Sequence, residues 1–220
     1  YLRRLFDEVY FKDIVSRYDV RKPDELGTLV DVLASNIGSL TSSSKIEATF
    51  KSELRSDITD ATLSSYIGHL AEAFIVEGAN RYSVKGRKYI GSPKKYYFED
   101  VGLRNARIGF RQIEENHLME NVVYNELRAR GFSVDVGMVE RRGREDGRDV
   151  RKQLEVDFVA NRGFERYYIQ SAWQIPDDEK RRQEKASLLE IGDNFKKMLL
   201  VGGSSPTYYD DDGILTMGVL

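Results

Sequence analysis

Apolar residues in the first third of the chain recur three and four positions apart, whereas much of the second half alternates in short runs, so helices followed by strands are expected. Residues 1–20 place Leu2, Leu5, Phe6, Val9, Tyr10 and Ile14 on one side, which predicts an amphipathic connector helix ending near Lys22-Pro23. Asp24 is positioned to cap a helix over residues 25–37, with Leu26, Leu29, Val30, Val32, Leu33 and Ile37 inward. A second short helix follows residues 42–44, with Ile46, Phe50 and Leu54 inward. A third starts at Thr59-Asp60, carries Leu63, Ile67 and Leu70, and gives way to a strand at Phe74-Ile75-Val76.

Residues 81–84 and 87–90, joined by Lys85-Gly86, read as a hairpin with a basic tip. Arg81, Lys85, Arg87, Lys88, Lys94 and Lys95 fall in a stretch that has no Asp or Glu. Three helices and a basic hairpin over residues 21–98 predict a winged-helix domain, which sets the third helix in a major groove and the hairpin along phosphates. The groove-facing candidates are Thr62, Ser65, Tyr66 and His69. A hinge or protein-docking module with a solvated charged edge is the competing expectation.

A second domain is expected over residues 99–220. Ile113, Leu118, Met119, Val122, Val123 and Leu127 have helical spacing across residues 112–130, and Gly131 is placed as a C-cap. Strand-like runs follow at residues 132–139, 153–160 and 166–172. Residues 140–152 read as a charged, solvated loop. A helix over residues 177–189 and strands at 197–202 and 213–219 complete an α-β-β-β-α-β-β order, so the whole chain is of α+β or α/β class.

Composition narrows the chemistry. The 220 residues are 40% hydrophobic and 32% charged, enough for a buried core, and the net charge of −2 leaves local charge density to decide about polyanions. There is no cysteine, which excludes disulfides and thiolate chemistry, and His69 and His117 are the two imidazoles. No apolar run is long enough to span a membrane, so no membrane partner and a cytoplasmic setting are expected. The chain begins at Tyr1 and stops inside an apolar run, which suggests a piece of something longer.

Glu120 on the helix, Asp157 in the second strand and Gln170 in the third are oxygen-bearing side chains that a tight hairpin would bring to one end of the sheet. Two carboxylates and an amide oxygen are hard ligands, and Mg²⁺ or Mn²⁺ is the cofactor they would take for phosphodiester hydrolysis.

The segments His117-Leu-Met-Glu120, Leu154-Glu-Val-Asp157-Phe158-Val159 and Tyr168-Ile169-Gln170-Ser171-Ala172 resemble the PD-(D/E)xK restriction-endonuclease-like fold. The whole chain, through Tyr1-Leu2-Arg3-Arg4-Leu5-Phe6, Tyr96-Tyr97-Phe98 and Gly102-Leu103-Arg104-Asn105, resembles the C-terminal half of prokaryotic AAA-type ATP-binding proteins. The resemblance implies an N-terminal ATPase domain as partner, with ATP bound only there; no phosphate-binding G-x-x-x-x-G-K-[ST] occurs in this chain. Glu120 and Asp157 match the family's acids as catalytic and metal residues. Gln170 stands where an active nuclease has Glu, and Ala172 where it has Lys. Without that cation the transition state loses a stabilising charge, which implies an inactive nuclease unless Lys185, Arg181 or Lys180 supplies it. The resulting expectation is a DNA-binding, regulatory module able to self-associate. A phosphodiesterase with a relocated lysine and an interaction domain for ATPase assembly are the alternatives.

Overall fold

The structure is a computed structural model that describes residues 1–111, 113–145 and 148–219. Residues 2–17 form one helix, α1, whose middle part Phe6–Phe11 is π-helical. It is followed by α2 (Pro23–Ser35), α3 (Ser43–Glu53), α4 (Asp60–Glu72), the hairpin strands β1 (Val76–Ser83) and β2 (Lys88–Phe98), and α5 (Val101–Arg107). The remaining order is α6 (Glu115–Ala129), β3 (Ser133–Glu145), β4 (Arg148–Arg162), β5 (Glu165–Ala172), α7 (Asp178–Leu189), β6 (Lys196–Val201), β7 (Tyr208–Tyr209) and β8 (Leu215–Gly218). The strands form a mixed sheet of order β2-β1-β3-β4-β5-β6-β8-β7. The fold is thus mixed, of α+β type. Among the described residues no helix is long and apolar enough to cross a membrane.

The chain divides into two compact units, residues 1–78 with 92–114 and residues 79–91 with 115–220. These differ from the linear boundaries expected from the sequence. The tip of the β1–β2 hairpin belongs to the second unit, and residues 99–114 belong to the first.

In the first unit Leu26, Leu29, Leu33, Phe50, Leu63 and Leu70 share one apolar core with Phe6 and Ile14 of α1. Local chemistry sets its helix starts. Ser42 accepts from the Lys45 N–H at 3.2 Å and Thr59 from the Thr62 N–H at 3.3 Å, each satisfying an otherwise unpaired donor of α3 or α4. Asp24, expected to cap α2, lies in its first turn instead, because Pro23 takes the first helical position. The short α5, not anticipated from periodicity, starts at Asp100, whose carboxylate accepts from the Leu103 N–H at 2.7 Å. From α5, Arg107 reaches Asp31 with two hydrogen bonds of 2.6 and 3.1 Å.

In the second unit β3, β4 and β5 form an antiparallel core, flanked by β1 parallel to β3 and β6 parallel to β5. Phe158 and Val159, adjacent on β4, point to opposite faces. Phe158 meets Tyr124 of α6, whereas Val159 packs with Tyr168 and with Leu188 of α7. The two helices therefore cover opposite faces. The expected charged loop at residues 140–152 is in large part strand: β3 and β4 stay paired from Glu140↔Gln153 out to Glu145↔Arg148.

Candidate functional site

Asp157 sits at an irregularity of β4. Asp135 pairs with Val159 and Gly137 with Val156, so β4 carries one residue more than β3 at this place. Such a bulge re-aims the side chains next to it. The Asp157 carboxylate, buried to 7% exposure, accepts from the N–H and hydroxyl of Ser171 at 2.8 and 2.9 Å. Gln170 turns to the other face. Its carbonyl oxygen accepts from the Asp157 N–H at 3.4 Å and from the Ser187 hydroxyl at 3.3 Å, and its amide donates to Glu184 Oε2 at 3.4 Å.

Glu120 is buried on α6, with His117 Nδ1 3.8 Å from its carboxylate. Asp157 and Gln170 are thus brought into contact, but the Gln170 oxygen faces α7 and is engaged by two donors. It does not join Glu120 in the oxygen cluster expected from the sequence, because β5 alternates and α6 and α7 lie on opposite faces. Among the described residues no group of three or more His, Asp or Glu side chains is arranged to hold a metal ion. As arranged, these donors do not fit Mg²⁺ or Mn²⁺.

Lys185 on α7 forms ion pairs with Asp212 and, at 2.8 Å, with Asp210. Burial works against its ammonium, but the two carboxylates outweigh it and hold its pKa above the usual lysine value. Asp210 is the counterpart. Burial raises it, but Lys185 and the N–H groups of Ile214 and Asp212 keep it below the usual carboxylate value. Lys180, one turn before Glu184, pairs with that carboxylate at 2.5 Å and so lies nearer Gln170 through the chain of contacts. Ser171, Glu184 and Ser187 were missed by sequence reading. The legible signal was the spacing of Lys180, Glu184 and Ser187 along one helical face.

The basic stretch is divided by the fold. Lys85, Arg87 and Lys88 are exposed at the turn in the second unit, with Arg81 half-buried before them. Lys94 and Lys95 belong to the first unit, where the Lys94 backbone pairs with Thr41 and Lys95 is buried. On α4, Ser65 Oγ lies 3.2 Å from His69 Nε2, and the His69 ring stacks on Tyr18 with centroids 4.0 Å apart. Thr62, Ser65 and His69 line a cavity of about 310 Å³ shared with residues 18–22. Hydrogen bonding to Glu72 raises the Tyr18 pKa above its usual value.

A protein of Haemophilus influenzae described as uncharacterized is 35% identical over 216 residues, which is 97% of this chain and 49% of the relative. Uncharacterized protein MJ1544 of Methanocaldococcus jannaschii is 26% identical over 185 residues, 84% of this chain and 39% of its own length. The chain thus spans about half or less of the curated relatives it matches. Protein VC1899 from Vibrio cholerae, a crystal structure, aligns over 99% of this chain and 52% of its own at 16% identity, with a TM-score of 0.29. Residues 1–114, just over half of the chain, match the family described as "Domain of unknown function (DUF8612)", and the chain belongs to that family.

Proposed function

We propose that this chain binds double-stranded DNA as the regulatory part of a longer AAA-type ATP-binding protein of the cytoplasm, with a winged helix at residues 21–98 and a degenerate nuclease-like region after it. The observation that carries this reading is the turn between β1 and β2, where Lys85, Arg87 and Lys88 are exposed and no acid lies between residues 81 and 95. Support for the winged helix comes from three helices, α2 to α4, preceding the β1–β2 hairpin, and from the Thr41–Lys94 bridge, which adds a short third strand position. Support for a degenerate nuclease comes from Ala172, which supplies no cation, and from the engaged Gln170 amide. The length of the relatives beyond the matched region leaves room for an ATPase domain.

Fluorescence anisotropy with a labelled duplex, repeated at several salt concentrations, tests the reading. The triple change Lys85→Ala, Arg87→Ala and Lys88→Ala is expected to make the log-log salt slope shallower by about 0.9 per phosphate contact removed. An unchanged affinity and slope would instead assign the turn to protein docking in ATPase assembly.

One observation favours the enzyme reading: Lys180 pairs with Glu184, which touches Gln170, so a cation and a carboxylate from α7 stand beside the strand that lacks them. That reading predicts cleavage of labelled DNA that is lost in both Asp157→Ala and Lys180→Ala.

A further inference from the structure

The acids and bases of residues 140–152 alternate in the sequence, and strand register sets the outer ones opposite each other, Arg144 with Asp149 and Glu145 with Arg148, while two rungs nearer the sheet are cationic. Arg141 stands directly opposite Lys152 and Arg142 directly opposite Arg151, all four exposed. Two consecutive rungs are therefore cationic on both strands, and because side chains alternate, one rung faces each side of the ribbon. Like charges directly opposite each other on a strand pair are destabilising. On the Arg141 side Glu190 lies 3.6 Å from Arg141 and also 3.6 Å from Lys85. One carboxylate serves two cations.

The ribbon also stands apart from the rest of the sheet. Among the described residues β1 pairs with β3 from Val136 to Met138 and β5 pairs with β4 from Phe158 to Arg162, so from Glu140 outward the described residues of β3 and β4 pair with each other. At about 3.3 Å per residue, residues 140–145 extend roughly 20 Å. The β1–β2 turn is fixed at the foot of this ribbon, through the Val84 N–H to Met138 O at 3.0 Å and Lys85 Nζ to Glu140 O at 2.8 Å. Two basic segments far apart in the chain thus meet in one unit.

The geometry points to the β3–β4 ribbon as an arm that enters the major groove of a DNA duplex. Its two cationic rungs meet the phosphates of opposite groove walls, and the β1–β2 turn holds the backbone at the arm's foot. A two-stranded ribbon is about 10 Å thick with its side chains, and the major groove is about 12 Å wide. Cations on both faces are what an arm standing between two phosphate strands requires. Contacts of this kind position the protein without reading sequence. This inference rests on the DNA-binding reading given above and adds the element that engages the duplex.

The test compares two double variants of the full chain, Arg142→Ala with Arg151→Ala on one face and Arg141→Ala with Lys152→Ala on the other, by anisotropy on a duplex of mixed sequence and on its single strand. Each pair should flatten the duplex salt slope by about 1.8, at 0.9 per contact, with the two effects adding in the quadruple variant. Both variants should unfold close to the temperature of the unmodified chain, since all four side chains are exposed and substitutions at such positions change stability little. Ribbon variants that bind like the unmodified chain, while the Lys85, Arg87 and Lys88 variant still loses slope, would overturn the arm and leave DNA binding standing. Equal losses on single strand and duplex would overturn insertion into a groove. An unmodified chain that does not bind the duplex would overturn both readings together.

Discussion

The two units bury different things. Among the described residues, the first unit encloses a wide apolar cluster with Thr41, Lys95 and Arg104 as its buried polar residues, whereas the second encloses Glu120, Asn121, Asp135, Asp157, Ser187 and Thr216. Burying a carboxylate is unfavourable unless donors surround it. The second unit answers that requirement in part: Ser171 donates twice to Asp157, and Tyr89 donates to Asp135 at 3.3 Å. Among the described residues the buried Thr216 hydroxyl finds no hydrogen-bond partner. The first unit is thus arranged for packing, while the second keeps acids inside its sheet at some expense of stability.

The largest effect is expected in the first unit, where Leu29 is fully buried and Leu29→Ala should destabilise by about 2–5 kcal/mol in urea unfolding, through lost transfer energy and a residual cavity. A smaller value would mean that the helical core yields easily and that the two units differ less in how they are packed. In the second unit, Tyr168 donates to Asp193 at 2.6 Å. Tyr168→Phe should lose about 1.5–3 kcal/mol, the usual worth of a hydrogen bond to a charged group. Burial and then the bond to Asp193 push the Tyr168 pKa up to about 12 from 10.0. A raised pKa favours the protonated form in the fold, so the difference between the two proteins should be constant below about pH 10 and shrink from there toward pH 12.

The smallest effect has the opposite sign. Burial raises the Asp135 pKa, against the opposing pull of Tyr89, Arg128 and Arg166. The folded state thus disfavours the charged carboxylate, and its contribution to stability falls as pH rises through its pKa. Asp135→Asn keeps an acceptor for Tyr89 and should stabilise by up to about 1 kcal/mol at pH 7. The gain should fade in thermal unfolding below about pH 4, where the unfolded carboxyl is also protonated. A loss at neutral pH would show that the buried acid is well compensated and that the polar interior carries no stability cost.

Residue spacing and single side chains were enough to establish the helices other than α5 and the succession of most strands along the chain, because these depend on contacts within a few positions. The Thr59 cap and the apolar faces of α2 to α4 are of this kind. So is the pairing of neighbouring strands β4 and β5, where Asp157 and Gln170 meet. Register and face depend on distant segments, and there tertiary structure decided. The bulge that gives Asp157 to Ser171 arises from the pairing of β4 with β3, and Gln170 is drawn to α7 by Ser187 and Glu184, on a helix that follows it in the chain. Lys185 lies one position from Glu184, yet helical rotation sends it to Asp210 and Asp212 instead. The charged residues 140–152 have no apolar pattern to mark a strand, so only the cross-strand hydrogen bonds of β3 and β4 turn them into a ribbon. The sequence alone determined which charges the chain carries, and the long-range pairing of strands, which no local spacing encodes, decided which of them stand together.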